Sequence, residues 1–350
     1  MLNYRQRRLW LSSFKRALRW EFWPLWLFYI PIVFYIIGLV IRYRGLAFTA
    51  VNPGMRGSGV IGESKSETLL ELQEKLPGKV AFTAVISAHL SPDQRQQQSL
   101  SIMASQQWDF PVVLKPDAGQ RGAGVAIIHD QAAMAAYLAD TTVDSILQPY
   151  IAGVEFGIFY YRFPDAANGH VFSLTHKCFP SVTGDGRSTL EQLILEHPRL
   201  HYMARFLLRL HREKLSTVPA VAEEVKVVRL GSHCRGSLFL DGGQYLTPAI
   251  SEAIDHISRL LSGFYFGRYD IRAASIDAFQ RGDFQVIEVN GVTSESTNIY
   301  DPANSLLKAY EIMWHQWRLA FAIGDNNRQR GYRPLTVLGF LSLLKPTPTA

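Results

Sequence analysis

The chain has 350 residues, of which 47% are hydrophobic and 19% charged, enough apolar material for one large or two modest folded domains. The formal net charge is +6, but no zinc-finger spacing and no basic stripe interleaved with aromatic residues is present, so nucleic-acid binding is not expected. The two cysteines, Cys178 and Cys234, are too few and too far apart for a disulfide framework, and we expect reduced thiols.

A long apolar segment follows a basic N-terminus. Residues 22–41 contain no charged side chain over the length at which a helix spans a bilayer. Aromatic residues at the start of the segment resemble an interfacial belt: Trp20, Trp23, Trp26 and Tyr29. Basic residues before it favour anionic lipid: Arg5, Arg7, Arg8, Lys15, Arg16 and Arg19. We predict membrane contact through residues 20–41; a buried helix or a homodimer contact would have the same composition.

The position of this segment in the bilayer is open to more than one interpretation. More basic residues lie on the N-terminal side of the segment than on its C-terminal side, which favours a cytoplasmic N-terminus. A single span would then export the remaining chain. Pro24 and Pro31 permit a kinked, re-entrant element instead. The apolar tail at 335–344 could pack against it or lie in the interface. We expect a cytoplasmic active site at the inner face of the cell membrane.

From residue 46 onward the pattern indicates a mixed domain of strands and helices. Strands are predicted at 46–51, 79–86, 112–115, twice within 145–163, and at 225–230, 235–240, 269–278 and 284–290. Helices are predicted at 64–76, 92–107, 130–140, 189–215, 248–261 and 303–323. Without strict βαβ alternation, the pattern predicts an α+β fold with mixed or antiparallel sheets. We divide the chain into a basic, apolar N-terminal part (1–45), a glycine-rich linker or strand (46–62), a main domain (63–325) and a tail (326–350).

The stretch 112–128, VVLKPDAGQRGAGVAII, places a lysine before a run of glycines, the reverse of the P-loop order. Lys115 at a strand end could meet a nucleotide phosphate as a point charge. The loop 119–124, with Gly119, Gly122 and Gly124, could close over the phosphates with its backbone N–H groups. A glycine-rich hairpin with a chance lysine explains the stretch equally well.

The stretch 148–158, QPYIAGVEFGI, is a candidate nucleotide-binding hinge. Gln148 ends a strand whose neighbouring backbone could hydrogen-bond an adenine edge, and Glu155 could hold ribose hydroxyls. A surface turn with one exposed acid is the alternative. Lys177, six residues before the tight turn at 183–186, could supply a second phosphate contact.

The last two predicted strands carry candidate metal ligands. Glu288 and Asn290 are two residues apart on one strand and therefore share a face, and Asp270 lies on the neighbouring strand. Two carboxylates and an amide oxygen suit a magnesium ion that carries nucleotide phosphates. The flanking residues are apolar, so these acids are expected to be partly buried and to need a cation or partner.

In order and spacing these motifs resemble the ATP-grasp superfamily from Glu63 to Asp301, and within it the carboxylate–amine ligases. The resemblance rests on VVLKPDAGQRGAGV, QPYIAGVEF, VTGDGRSTLEQLI, GRYDIR with IEVNG, and SKSETLLELQEKLPG. It implies a fold in which two α+β subdomains clamp ATP. It also implies ATP and magnesium as cofactors, with two ions and manganese as an alternative metal, and it adds Lys65, Gln148 and Tyr150 to the nucleotide contacts.

The resemblance further implies amide-bond formation between a small carboxylate and an amine through an acyl phosphate. It assigns Arg235, Arg268 and Arg272 to the carboxylate or the transferred phosphoryl group. The loop 291–301 would recognise the amine or amino acid through Ser294, Glu295 and Ser296. The alternatives are a kinase that stops at the phosphorylated product and a membrane-tethered, nucleotide-binding scaffold without catalysis.

Overall fold

The computed structural model describes residues 3–60, 64–119, 122–228 and 231–343. The helices in these ranges are α1 (Tyr4–Ala17), α2 (Leu25–Arg42), α3 (Lys65–Lys75), α4 (Pro92–Ser105), α5 (Gln131–Asp140), α6 (Leu190–Glu196), α7 (Ala204–Leu210), α8 (Pro248–Leu260), α9 (Ile276–Gln280), α10 (Leu306–Gln329) and α11 (Val337–Leu343). The strands are β1 (Ala84–Ile86), β2 (Val112–Pro116), β3 (Ala126–Ile128), β4 (Ser145–Pro149), β5 (Val154–Tyr161), β6 (His170–Cys178), β7 (Ser181–Thr183), β8 (Glu224–Lys226), β9 (Leu238–Asp241), β10 (Phe266–Ala273) and β11 (Gln285–Asn290).

The smaller of the two main sheets is antiparallel throughout, in the order β1, β4, β2, β3. Helices α4 and α5 cover it, with Met103, Met134 and Leu138 packed on Leu114. Each helix begins at a capping side chain, because the oxygen of a residue just before the helix accepts a hydrogen bond from a free backbone N–H of the first turn.

The larger sheet is also antiparallel, in the order β11, β10, β5, β6, β9. Successive side chains on a strand point to opposite faces, and here one face is apolar and the other charged. The apolar face, with Phe156, Ile158 and Tyr269, packs on Ile250 and Ile254 of α8. The charged face borders a cavity between the two sheets.

A third layer is formed by α10, which packs between α2 and the turn at Ala47–Ala50. Its core is aromatic: Phe48 contacts the rings of Trp317 and Phe321, and Phe28 stacks on Tyr310. The close approach requires a glycine in α10, because a Cβ on Gly324 would lie 2.0 Å from the Ala47 carbonyl oxygen.

The strand predicted at 46–51 is wrong: Ala47–Ala50 is a buried 3₁₀ turn. Its backbone groups bond to side chains rather than to a neighbouring strand. Ser58 Oγ donates to the Thr49 carbonyl (2.7 Å), and Asn327 Nδ2 donates to the carbonyls of Ala50 and Val51. Residues 46–51 therefore have the apolar pattern of a strand but form a turn that is buried under α10.

Other predicted strands are shorter than expected. Residues 79–81 pair with Val286 of the larger sheet, and only Ala84–Ile86 joins the smaller one. The strand predicted at 269–278 ends at Ala273, where Ser275 caps the short helix α9, and this helix takes up the long spacing between β10 and β11. Residues 229–230, the end of another predicted strand, lie outside the described residues.

The helices predicted at 64–76, 92–107, 130–140 and 248–261 are confirmed within two residues at each end. The helix predicted at 303–323 is also present, but it runs from Leu306 to Gln329 and so ends six residues later than predicted. The region 189–215 contains α6, a 3₁₀ turn and α7. In the described part of the chain, α2 is the one helix long and apolar enough to cross a membrane. It buries Phe28, Ile32 and Leu39 toward the protein and leaves most of its surface exposed. A core helix would be mostly buried.

Candidate active site

A cavity of about 640 Å³ lies between the two main sheets. The smaller sheet and the hinge after β4 line one end, and the charged face of the larger sheet forms its floor. The rest of the lining comes from the loops around 231–234 and 290–300 and from the N-terminal residues 16–29.

The strand register assembles the charged floor from four strands. Asp270 lies opposite Glu288 on one side and Gly157 on the other, and Arg272 lies opposite Glu155, which in turn faces Lys177. Lys65 and Lys115 reach the same cavity from α3 and β2. Five basic residues (Lys65, Lys115, Lys177, Arg268 and Arg272) and three acids (Glu155, Asp270 and Glu288) leave two positive charges in excess, an arrangement suited to a polyphosphate.

Glu155 is buried in an ion-pair network. Its Oε2 accepts hydrogen bonds from Arg272 Nε (3.0 Å) and Nη2 (2.7 Å), and its Oε1 accepts one from Lys177 Nζ (3.0 Å). Burial would raise the pKa of this carboxyl, but Lys177 and Arg272 hold the pKa below its usual value. A Cβ on Gly231 would lie 1.9 Å from Glu155 Oε1, so only glycine lets the 231–234 loop approach.

Asp270 shares the same cations. Lys177 Nζ lies 3.0 Å from Asp270 Oδ1, and Arg268 Nε donates to the same oxygen at 3.0 Å. Burial opposes the charged form, but Arg268 and Lys177 outweigh it and lower the pKa of Asp270 to about 2. The carboxylate is therefore ionised at any physiological pH.

Lys115 lies at the junction of the two sheets. Its Nζ donates to the Ile287 carbonyl of β11 at 2.9 Å, and the residue is almost completely buried. Burial lowers the pKa of Lys115, while the nearby carboxylate of Glu288 acts in the opposite direction. A buried ammonium with one carbonyl partner keeps donor capacity for an anion.

Lys65 is positioned by Asp117, which follows β2. Asp117 accepts hydrogen bonds from the Ser64 hydroxyl (2.9 Å) and the Ser66 backbone N–H (2.8 Å), and this fixes the start of α3. Lys65 Nζ then donates to the Gly119 carbonyl and lies 3.6 Å from Glu288 Oε1.

The glycine loop is described only in part, because residues 120–121 lie outside the described ranges. Gly122 and Gly124 adopt positive φ angles (+70° and +72°), which favour glycine. A Cβ on Gly124 would also lie 2.6 Å from the Pro116 ring. A Cβ on Gly122 would lie 3.9 Å from Arg235 Nε, so Arg235 lies beside this loop.

The hinge after β4 lines the cavity opposite the loop. Gln148 is buried and donates to Thr83 Oγ1 at 3.0 Å, which leaves the backbone of residues 149–151 to face the cavity. Arg272 Nη1 donates to the Ile151 carbonyl at 2.8 Å, and its guanidinium lies over the Tyr150 ring. Arg272 therefore holds the hinge and Glu155 together.

The predicted metal ligands fit a hard cation by chemistry. No group of three or more His, Cys, Asp or Glu residues suited to a metal occurs in the part of the chain that the structure describes. The predicted set instead has two carboxylates and an amide, Asp270, Glu288 and Asn290. Asn290 Nδ2 is buried and has no hydrogen-bond partner. The amide can be turned so that its oxygen takes the place of its nitrogen, and that oxygen would then be available as a ligand for a cation.

Two of the three residues predicted to recognise the amine line the cavity. Glu295 accepts hydrogen bonds from the hydroxyls of Tyr29 and Tyr300, the second at 2.9 Å, and Ser294 Oγ donates to the Gly291 carbonyl. Ser296 is instead fully buried, where it bonds with Ser173 and Asn298. Its backbone N–H donates to Gln316 of α10, so its contacts are within the protein rather than toward the cavity.

Three ionisable residues at this end, Glu21, Arg199 and His233, were not found from the sequence. Glu21 is buried and accepts hydrogen bonds from Arg199 at 2.7 and 3.0 Å, and His233 Nε2 lies 3.4 Å from it. The His233 ring stacks on both Phe22 and Tyr300. The one signal in the sequence is that Glu21 is the single acid before residue 63, and a lone acid beside an apolar segment needs a partner.

Comparison with known proteins finds a match only among solved structures. No family model matches the chain, and no curated protein matches it. The structures include D-alanine–D-alanine ligase from Bacillus anthracis, at 13% identity and a TM-score of 0.43, with 77% of this chain and 69% of that chain covered. D-cycloserine synthetase matches at 13% identity and a TM-score of 0.42, with 73% and 70% covered.

A third match is the bifunctional glutathione synthetase from Pasteurella multocida, at 14% identity and a TM-score of 0.37, with 72% of this chain covered. This chain spans 36% of that protein. All three are ATP-grasp ligases, the superfamily that the sequence resembles. At these identities and TM-scores the likeness carries no argument about the site, so the chemistry rests on this chain's own residues.

Proposed function

We propose that this protein is an ATP-grasp carboxylate–amine ligase, which activates a carboxylate with ATP and joins it to an amine. The observation that carries the proposal is the convergence of Lys115, Lys177, Asp270, Glu288 and Asn290 on one cavity between two antiparallel sheets. A structural ion-pair network would account for Asp270 and Lys177, but not for the unsatisfied Asn290 amide or for a buried lysine held by one carbonyl.

In this proposal the nucleotide lies across the cavity. The backbone at 149–151 and the Tyr150 ring receive the adenine, with Gln148 behind them and Glu155 at the ribose. Lys65, Lys115 and Lys177 neutralise the phosphates, and the loop containing Gly119, Gly122 and Gly124 closes over them.

Asp270, Glu288 and Asn290 would hold a magnesium ion, which would supply positive charge to neutralise the negative charge that develops during phosphoryl transfer. Two ions, or manganese in their place, are compatible with an all-oxygen ligand set.

The proposed reaction has two steps. A carboxylate oxygen of the substrate forms a bond to the γ-phosphorus as the bond from that phosphorus to the β–γ bridging oxygen breaks, and ADP leaves. An amine then forms a bond to the acyl carbon, inorganic phosphate leaves, and the nitrogen gives up a proton. Arg235 beside the glycine loop and Arg268 beside Asp270 would neutralise the transferred phosphoryl group, and Arg272 positions the hinge.

We also propose that the protein binds the cytoplasmic surface of a membrane through α1 and α2. Exposed apolar residues recur on one face of α2 at intervals of three and four, namely Trp26, Ile30, Phe34, Ile37 and Ile41, and on α1 at Trp10, Phe14 and Leu18. Arg7 and Lys15 have no ion-pair partner among the described residues and would face anionic headgroups, whereas Arg5 and Arg8 pair with Glu191 and Glu196.

The test of the ligase is ADP release over a panel of carboxylates and amines. We expect release that requires one of each and that stops in Lys115→Met. Lys79→Met is the matched control, because Lys79 is a half-buried lysine bonded to one carbonyl outside the cavity. A stable phosphorylated product without amine would support the kinase alternative, and ATP binding without ADP release would support the scaffold.

A further inference from the structure

The cavity extends well beyond the residues that would hold ATP. Past Asp270 and Glu288 it continues to a second half, whose wall is formed largely by the N-terminal residues 16–29. The segment predicted to contact the membrane therefore also lines the active site. This second half has no assigned ligand.

Aromatic rings dominate this second half. Trp20 stacks on Phe28 and Tyr300, with ring centroids 5.4 and 6.0 Å apart, and Phe22 stacks on His233 at 5.4 Å. Further lining residues are also apolar or aromatic: Trp23, Leu25, Val60, Met203, Phe239 and Trp317. A ligand here meets mostly ring faces and aliphatic groups.

The acids of the second half are already satisfied by the protein. Glu21 is held by Arg199 and His233, and Glu295 by two tyrosine hydroxyls. Arg16 has no ion-pair partner among the described residues, and its guanidinium lies over the Phe22 ring. This pattern favours a ligand with an apolar body over a zwitterion, which would need a free acid and a free cation together.

We propose that the second half binds the apolar chain of a long-chain monocarboxylate, whose carboxylate group reaches the phosphate end of the cavity. This inference rests on the proposed ligase function and names its first substrate class. The source of the substrate is the bilayer, because the outer face of the same helix, α2, is apolar and exposed.

The carboxylate is a better occupant than the amine for a chemical reason. It must be held and dehydrated before phosphoryl transfer, and the acyl phosphate must be protected from water until the amine arrives. An apolar chain packed against the rings around Trp20 and Phe28 excludes water next to the reacting carbon.

The chain-length test measures KM for butanoate, octanoate and dodecanoate, with one short amine, on the full chain in lipid nanodiscs. Each buried methylene is expected to lower KM by up to about fourfold. The reverse series, butanoate with alkylamines of increasing length, is expected to show no such trend. A trend in the amine series alone would overturn the proposal.

Longer carboxylates also partition into the bilayer, so a pair of matched variants decides the interpretation. Leu25→Trp adds bulk at a residue that lines the cavity, and Leu27→Trp adds the same bulk at a neighbouring residue that does not. We expect Leu25→Trp to raise KM for dodecanoate at least about tenfold while butanoate changes little, and Leu27→Trp to change neither. Equal effects on both chain lengths, or equal effects of both variants, would overturn the proposal.

The two proposals can fail separately. ADP release with short carboxylates, without any gain from chain length, would refute the apolar substrate and leave the ligase standing. If no carboxylate gives ADP release, binding of a fluorescent long-chain carboxylate to the wild-type and Leu25→Trp proteins still tests the cavity. Equal binding by both proteins would overturn the proposed chain site.

Discussion

At the scale of single residues, the site is a chain of alternating charges in which each buried acid is shared by two cations. Glu155 bridges Arg272 and Lys177, and Asp270 bridges Lys177 and Arg268. Such a network is pre-organised for the proposed nucleotide, because each member is held in place by its ion-pair partners.

The first prediction concerns the stability of this network. Glu155→Gln leaves Lys177 and Arg272 buried with one fewer acid, and we expect the free energy of unfolding to fall by about 3–5 kcal/mol. The matched control is Arg259→Ala, which removes a half-exposed ion pair with Asp255. This variant should change the free energy of unfolding by less than about 1 kcal/mol. Both are measured by denaturant unfolding. Equal losses would show that the buried network contributes no more than a surface pair.

The second prediction separates ligand binding from stability. Glu288 is partly exposed, and its ion-pair partner Lys65 lies 3.6 Å away, so Glu288→Gln should leave the free energy of unfolding nearly unchanged while ADP release falls about a hundredfold or more. Asp270→Asn should reduce both, because Asp270 also neutralises Lys177 and Arg268. The measurements are ADP release and denaturant unfolding on the same samples. A fully active Glu288→Gln protein would remove Glu288 from the metal site.

Strand alternation was enough to predict from the sequence that Glu288 and Asn290 share a face. The pairing of Glu155 with Arg272 was not predictable, because the two residues lie far apart in the chain and meet only through the register of β5 and β10. Glu155 was therefore predicted as a ribose ligand without its cations.

At the scale of elements, a buried cluster helps to attach the N-terminal segment to the main domain, in addition to the packing of α2 on α10. Glu21 precedes α2 and bonds to Arg199, while Phe22 packs against Tyr202 and His233. Because this cluster also lines the cavity, its attachment and the shape of the proposed substrate site are linked.

The third prediction follows from the charges of this cluster. Burial lowers the pKa of His233. Burial would raise the pKa of Glu21, but the contacts with His233 and Arg199 outweigh burial and lower this pKa. A lowered pKa in the folded state means stability that is full at high pH and is lost as pH falls. We expect attachment of the segment to weaken as pH falls below the ordinary histidine value and further below that of glutamate.

Hydrogen exchange of residues 3–24 between pH 8 and pH 4 measures this, after correction for the intrinsic exchange rate. Glu21→Gln should raise the exchange rate of residues 3–24 at pH 8, because Arg199 then lacks its acidic partner. It should also reduce the dependence of exchange on pH in the acidic part of the range, because Glu21 no longer titrates there. The control is Glu191→Gln, which removes a more exposed pair with Arg5 on α1. Exchange independent of pH in the wild-type protein would contradict the role of the cluster.

Helices were largely predictable where a capping residue preceded the segment, as at α4, α5 and α8. The turn at Ala47–Ala50 was not, because its backbone partners are Ser58 and Asn327, and the second of these lies on α10. Local pattern carries no information about side chains that arrive from the far end of the chain.

At the scale of the whole molecule, the cavity connects the proposed ATP site to an element with an exposed apolar face. The sequence indicated both features separately, but their contact depends on how α2 packs on α10, which no local pattern encodes.

The fourth prediction tests the membrane surface. We expect the wild-type protein to co-sediment with anionic vesicles more than with zwitterionic ones, with binding reduced by salt. The triple variant Trp26→Ser, Ile30→Ser, Phe34→Ser should lose binding, because three exposed apolar side chains no longer enter the interface. The matched control replaces Leu210, Val218 and Val221, which are also exposed, by serine. Equal binding by both triple variants would contradict the proposed surface.

The most direct test of the central claim follows oxygen from the substrate carboxylate. With ¹⁸O-labelled dodecanoate, or the shortest labelled carboxylate that supports ADP release, and a short amine, a ligase that forms an acyl phosphate transfers one ¹⁸O atom into inorganic phosphate. We predict labelled phosphate in a one-to-one ratio with ADP and amide, and none with Lys115→Met. Unlabelled phosphate, a stable phosphorylated product, or ATP bound without turnover would contradict the assignment.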